Sequence, residues 1–122
     1  MNHKVKLSGW GNNINVNSKI NLPTNNEDIK NLYKKGAVFN SIVRGLGRSY
    51  GDSSINFNVI SLKNYEKFIN FDDELGTLEC STNYSLKDIL KLIVEKGWFL
   101  NVTPGSKFIT IGGAIASDAH GK

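Results

Sequence analysis

The sequence predicts an α+β fold: two small α/β subdomains, residues 1–55 and 56–122. Three observations predict it. A helical stripe, a strand and a glycine-rich loop follow one another twice along the chain. Strands and helices alternate, yet the helices are few and the strands short. A length of 122 residues allows one domain, or two very small subdomains sharing a core. Such a chain buries about two-thirds of its unfolded surface. Both loops are expected on a cleft between the subdomains.

The elements follow in order. Thr24-Asn25-Asn26-Glu27 reads as a capping box, the threonine oxygen taking an amide while Glu27 reaches back. It opens a helix with Ile29, Leu32 and Tyr33 on one face, stopped by Gly36. Phe39 to Val43 reads as a strand running into the first glycine loop. Val59 to Leu62 and Gly76 to Thr82 read as further strands. Ser85-Leu86-Lys87-Asp88 caps a second helix with Leu86, Ile89, Leu90, Ile93 and Val94 as its apolar stripe and Gly97 as its stop. Phe99 to Thr103 is expected as a strand, Pro104-Gly105 as a turn, and Phe108 to Ala116 as an apolar strand or bend.

Composition narrows the class. The chain is 39% hydrophobic and 21% charged, with no apolar run of membrane-spanning length. Its first residues, from Met1 to Gly11, hold no apolar core of a secretory signal. A single cysteine, Cys80, has no partner for an internal disulfide, so a reducing compartment is expected. The net charge of +4 permits nucleic-acid binding, but the lysines are scattered along helix exteriors and the N-terminus rather than interleaved with aromatics on one face. A mildly basic surface also suits an anionic small molecule.

The first loop is Arg44-Gly45-Leu46-Gly47-Arg48-Ser49-Tyr50-Gly51-Asp52. The dinucleotide fingerprint G-x-G-x-x-G fails here, because Tyr50 stands at the third glycine's place and Gly51 comes one residue late. The residues after Asp52 are poor helix sequence, and no Gly-Lys-Ser/Thr follows as a P-loop needs. What remains is a nest of backbone N–H groups turned inward by glycines, or simply a glycine-rich turn with surface arginines. Ser49 and Ser53 add hydroxyls; Arg44 and Arg48 supply charge, unless Arg44 is spent on a neighbour.

The second stretch runs from Thr103 to Lys122. Pro104-Gly105-Ser106 makes a tight turn, and Gly112-Gly113-Ala114 admits a backbone or a flat ring at close range. Ser117-Asp118-Ala119-His120-Gly121-Lys122 then concentrates polar groups. His120 reads either as a structural histidine or as a functional one at a loop mouth. No metal-ligand spacing occurs, and no Ser-His-Asp pattern carries weight.

These motifs resemble the PCMH-type FAD-binding domain of the vanillyl-alcohol oxidase / p-cresol methylhydroxylase flavoprotein superfamily. Within it, they look most like the decaprenylphosphoryl-β-D-ribose 2-oxidase type of sugar oxidase. The loop at 44–52, Pro104-Gly105-Ser106, and the run from Thr110 to Lys122 follow that pattern in order; Ser8-Gly9-Trp10-Gly11 matches the way such chains begin. The resemblance covers essentially the whole chain. It implies that the cofactor is FAD, held in the cleft between the subdomains. Val43, Arg44, Gly45, Leu46, Gly47, Arg48, Ser49, Tyr50, Gly51, Asp52 and Ser53 would wrap its pyrophosphate. Gly105, Thr110, Ile111, Gly112, Gly113, Ser117, Asp118, Ala119 and His120 would line the rest of the dinucleotide and the flavin. His120 and Lys122 would lie near the substrate face as catalytic candidates; otherwise Lys122 is a solvated chain end.

Many relatives in the superfamily, such as aldonolactone and alditol oxidases, carry a histidine where Arg48 stands, tethered to the flavin 8α-methyl. A guanidinium stays protonated and cannot form that bond, so non-covalent FAD is expected. The resemblance further implies more flavin-binding chain after Lys122 and a substrate domain beyond it. The 122 residues alone are then expected to be inactive and, with apolar surface exposed, prone to self-association.

The function so implied is the N-terminal portion of an FAD-dependent oxidoreductase acting on a sugar or polyol alcohol, in cell-envelope glycan synthesis. No nucleic-acid partner is expected. The location is cytoplasmic, with a peripheral inner-membrane position as its variant. The alternatives are an aldonolactone or alditol oxidase, and a non-catalytic flavin- or nucleotide-binding module.

Overall fold

A computed structural model describes residues 4–121, leaving Met1, Asn2, His3 and Lys122 outside the described residues. The chain divides into two compact units, 1–66 and 67–122. Helices and strands are mixed in short pieces, as the α+β expectation has it.

The first unit is a four-stranded sheet with one helix. β1 (Lys4–Ser8) pairs antiparallel with β2 (Asn15–Asn21). β3 (Ser41–Arg44) and β4 (Asn58–Ser61) run parallel to each other, and β4 also runs parallel to β2. The order is β1-β2-β4-β3, so β4 is central and Val59 and Ile60 on it are buried with neighbouring Ile55. This pairing carries the first unit past residue 55 to Glu66.

α1 (Asn26–Lys34) connects β2 to β3. Its cap is Asn25, whose side chain accepts from the Asp28 amide at 3.0 Å. The expected box centred on Thr24 is thus displaced by one residue. Asp28, not Glu27, reaches back, bonding the Thr24 amide at 2.8 Å and its hydroxyl at 2.7 Å. Glu27 instead pairs with Lys30 on the exposed surface. Gly36, at φ +67°, follows the helix as expected.

Sequence reading assigned no strand before residue 39, yet β1 and β2 are the sheet's outer half. The reason is chemical disguise. Along β2 the core-facing series is Val16, Ser18 and Ile20, and the middle one is polar. Ser18 is fully buried and donates to Asn56 O at 2.6 Å, which satisfies its hydroxyl and lets it serve as a core residue.

Parallel strands need a long crossover, usually helical. Between β3 and β4 that crossover is residues 45–57, which hold no helix. The first glycine loop therefore leaves the C-terminal end of a parallel strand, the end at which open α/β sheets bind ligands.

The second unit opens with a hairpin, β5 (Ile69–Asp72) against β6 (Thr77–Cys80). Gly76 makes its turn at φ +67°, under the Trp98 ring, where a Cβ would come within 2.3 Å of a ring carbon. α2 (Leu86–Ile93) follows with the full Ser85–Asp88 capping box and buries Leu86, Ile89 and Ile93. A 3₁₀ turn and Gly97 at φ +82° end it. Residues 99–103 are irregular rather than the expected strand. An extended segment without a ladder partner is not a strand, and no described strand pairs with it. In place of the expected strand or bend over Phe108–Ala116 stands a short helix, α3 (Ile111–Ala116), capped by Thr110. The helix–strand–loop succession is therefore observed once, in the first unit.

Candidate functional site

The first loop is built from beneath by a single arginine. Arg44, the last residue of β3, donates from Nη2 to Ser8 O at 2.9 Å and from Nη1 to Ser54 O and Oγ at 3.2 Å each. Burial pulls its pKa below the usual arginine value. Gly47 rides directly on it: φ is +72°, and a Cβ there would lie 2.2 Å from Arg44 Nη2. Gly9 presses from the other side, where a Cβ would lie 2.2 Å from Gly51 O. Both glycines are buried. The loop is thus clamped between its own arginine and the turn after β1.

That clamp sorts donors from acceptors. Ser49 O accepts from the Trp10 amide at 2.9 Å, Tyr50 O from the Ser53 amide at 3.4 Å, and Asp52 O from the Ile55 amide at 3.0 Å. The amides of Gly47, Arg48, Ser49, Tyr50, Gly51 and Asp52 find no acceptor among the described residues. Gly51 is also left-handed, at φ +56°. Carbonyls tied back and amides left open make a surface of partial positive charge suited to an oxyanion. Arg48 stands at its edge, guanidinium carbon 4.9 Å from the centre of the Trp10 ring. Val43, Tyr50, Asp52 and Ser53 are exposed around it.

The second stretch is organised in the opposite sense. Its first-turn amides are already used: Ile111 N–H donates to Tyr84 O at 2.9 Å, Gly112 N–H to Thr82 O at 2.8 Å, and Gly113 N–H to Thr110 Oγ1 at 3.0 Å. A Cβ on Gly112 would meet Thr82 Cβ and O at 3.3 Å, so this glycine allows α3 to lie close against the segment before α2. Ser117 Oγ donates back to Gly113 O at 2.7 Å. Gly105 has open space around it.

Beyond α3, Asp118 adopts a left-handed φ of +49°, unusual for a residue with a side chain. It turns the chain so that His120 Nδ1 lies 2.5 Å from Asp118 O. A carbonyl only accepts, so this contact is a hydrogen bond when Nδ1 bears the hydrogen, and Nε2 takes no part in it. The ring is exposed. Lys122, the other catalytic candidate, lies outside the described residues.

Within each unit the structure gathers the sequence-predicted residues. Residues 43–53 form one loop with its supports, and Thr110–His120 form one capped helix and turn. Arg44 directs three hydrogen bonds into the fold, the neighbour pairing that the sequence left open. Sequence reasoning gave no role to Ser8, Gly9, Trp10 or Ser54. The available signal was the pair Gly9 and Gly11 around a tryptophan, which marks a backbone pressed close to something. Among the described residues no group of three or more histidine, cysteine or acidic side chains is placed to hold a metal ion.

The first unit is thus a piece of an α+β domain in which a loop of unpaired amides leaves the carboxyl end of a parallel strand. The sequence profile of the FAD-binding-domain family matches residues 18–122, and the chain belongs to that family, in its PCMH-type form. Decaprenylphosphoryl-beta-D-ribose oxidase from Mycolicibacterium smegmatis is 30% identical over 122 residues, covering 96% of this chain. An uncharacterized protein in the mprA 5′ region of Streptomyces coelicolor is 40% identical over 37 residues, covering 30% of this chain and 10% of its own. Among solved structures, cholesterol oxidase from Brevibacterium sterolicum superposes with a TM-score of 0.77 at 15% identity over 97% of this chain, a likeness of fold. The chain spans 26% of the length of the mycobacterial oxidase and 24% of cholesterol oxidase.

FAD is the cofactor of this family. The residues present fit it on an observation independent of the likeness: six consecutive amides, Gly47 to Asp52, have no acceptor among the described residues, while Ser49, Tyr50 and Asp52 O are engaged. A diphosphate offers the acceptors that those donors lack.

Proposed function

We propose that the chain is the FAD-binding N-terminal portion of an oxidoreductase that oxidises a sugar or polyol alcohol. The carrying observation is the open amide row from Gly47 to Asp52, braced by Arg44 and by the close approach of Gly9. The loop from Val43 to Ser53 would bind there through main-chain donors and Arg48, with Arg44 fixing the floor. Gly105, the capped segment Thr110–Gly113, and Ser117–His120 would lie along the rest of the cofactor, with small side chains admitting a flat ring. The exposed His120 would orient a bound hydroxyl, with Lys122 as the second catalytic candidate. Bound in this way, FAD supplies the hydride acceptor for alcohol oxidation. The alcohol is assigned to the sugar class on the 30% identity to the ribose oxidase. Arg48 makes the attachment non-covalent, since a guanidinium does not bond to the flavin methyl. The half-buried thiol of Cys80, unpaired in the chain, accords with a reducing, cytoplasmic setting.

The test is a visible spectrum of the purified chain after incubation with FAD and removal of free cofactor. Retained flavin bands that pass entirely to the supernatant on acid precipitation are the expected result. A colourless protein, with no FAD affinity in equilibrium dialysis, defeats the reading of this loop. Colour left in the acid pellet defeats non-covalent attachment.

A further inference from the structure

The two arginines of the loop are held in opposite ways. Arg44 spends its donors on Ser8 and Ser54. Arg48 makes no hydrogen bond or ion pair among the described residues; its contact is the Trp10 ring face, 4.9 Å from the guanidinium carbon. A guanidinium held by a cation–π contact is fixed without an oxygen acceptor, which leaves its hydrogen bonds to be made elsewhere. The contact is not incidental to a floppy surface. Trp10 N–H is bonded to Ser49 O at 2.9 Å, next to Arg48 in sequence, and the preceding Gly9 is wedged against Gly51 O. The indole itself is 55% exposed, so burying apolar area does not explain its position.

We infer that Trp10 is a positioning residue for FAD: the cation–π contact of its ring holds the Arg48 guanidinium in place without a hydrogen-bond acceptor, so its donors stay available to the cofactor. The inference rests on the cofactor reading above. It assigns a binding task to the turn after β1, in front of the region where the family profile begins at residue 18. It also explains why the loop carries two arginines, one to build it and one to be presented by it.

The experiment is a double-mutant cycle on FAD affinity in the full 122-residue chain, with Trp10→Leu, Arg48→Gln and the double variant, each checked for wild-type thermal unfolding. Arg48→Gln is expected to weaken FAD by about tenfold, the loss of one charge-assisted contact. Trp10→Leu is expected to cost about fivefold, the size of an exposed cation–π contact. The double variant should bind no worse than Arg48→Gln alone, and Trp10→Phe, which keeps a ring face, should stay within about twofold of wild type. A second readout needs no cofactor. Arg48→Gln should alter the indole emission of the apo chain, whose other tryptophan, Trp98, is common to both proteins.

A full Trp10→Leu penalty persisting in the Arg48→Gln background overturns the inference, as does unchanged apo emission, while wild-type FAD binding keeps the cofactor reading intact. Wild-type protein without FAD affinity overturns the cofactor reading and this inference with it.

Discussion

The two glycine-rich stretches carry similar residues and do different work. In the first, Gly9 and Gly47 are buried in contacts no side chain could share, Gly47 and Gly51 take left-handed angles, and the amides stand open. In the second, Gly112 and Gly113 are helical, and their amides are consumed by Thr82 O and Thr110 Oγ1. Glycine density is therefore two signals. One reports a backbone shaped to present donors, the other a helix brought close to its neighbour. Only the first leaves a run of amides open to an acceptor; the second has its first-turn amides already paired.

Alanine substitution separates the two most sharply. Gly9→Ala puts a methyl 2.2 Å from a backbone oxygen that cannot swing aside, so the turn after β1 must lift from the loop. The expected cost is about 3 kcal/mol of stability, together with loss of FAD binding. Gly47→Ala combines a left-handed angle with a clash against the Arg44 guanidinium and should come close behind. Gly113→Ala meets only Thr110 Oγ1, at 3.2 Å, and gains about 1 kcal/mol of helix propensity. It should leave stability within about 1 kcal/mol of wild type by urea unfolding. If Gly113→Ala destabilises as much as Gly9→Ala, the distinction between the two stretches collapses.

The next effect tests what the first loop stands on. Arg44→Met keeps the aliphatic stem but strands Ser8 O and the buried Ser54 hydroxyl and carbonyl. We expect about 2 kcal/mol of destabilisation, measured by urea unfolding. Affinity should fall in proportion to the unfolded fraction, because the hydrogen bonds of Arg44 hold the loop rather than reach outward. An affinity loss of the Arg48→Gln kind, without a stability loss, would show instead that Arg44 leaves its partners to bind the cofactor.

These contrasts also show what the sequence could carry. The α+β class, both helices with apolar stripes, their glycine stops and the Ser85–Asp88 box were legible, because each is encoded within a few residues. The loop at 44–52 was legible as a nest because its glycines exclude the dinucleotide fingerprint by spacing. The failures all lie where a distant partner decides. Ser18 is a core residue only because Asn56 O is within reach. Residues 99–103 look like a strand and have no described ladder partner. Thr110 becomes a helix cap by bridging to Ser85, which turns an apolar run into α3. The three hydrogen bonds of Arg44 were not legible either, because its partners, Ser8 and Ser54, are remote in sequence or undistinguished in type.

The same bridge makes the second stretch sensitive to a single hydroxyl. Thr110→Val keeps the β-branched shape at the cap but removes the acceptor for the Gly113 amide. A lost cap costs about 1 kcal/mol, and the loss should fall on α3 while the Gly47–Asp52 amides are untouched. Amide exchange is the discriminating measurement: faster exchange at Gly113 and its neighbours, unchanged at α1. Equal acceleration at both sites would mean that the stretch and the first loop are not independently held.

The smallest effect separates the two units by pH. Asp28 and Asp88 are held below the ordinary carboxylate pKa, chiefly by hydrogen bonds from Thr24 and from Ser85. A lowered folded-state pKa means that each cap contributes above the unfolded value near pH 4. The contribution is lost as pH falls through the folded value. Both carboxylates are exposed or nearly so, so the Asp88 contribution is below about 1 kcal/mol. Asp88→Asn, which still accepts one bond, should lower the melting temperature slightly at pH 7 and match wild type at pH 2. Asp28→Asn should show the same convergence through the first unit. A mutant–wild-type gap that stays constant from pH 7 to pH 2 would show that the bonds, and not the charge, carry the caps. In that case the acid sensitivity of the chain must come from elsewhere.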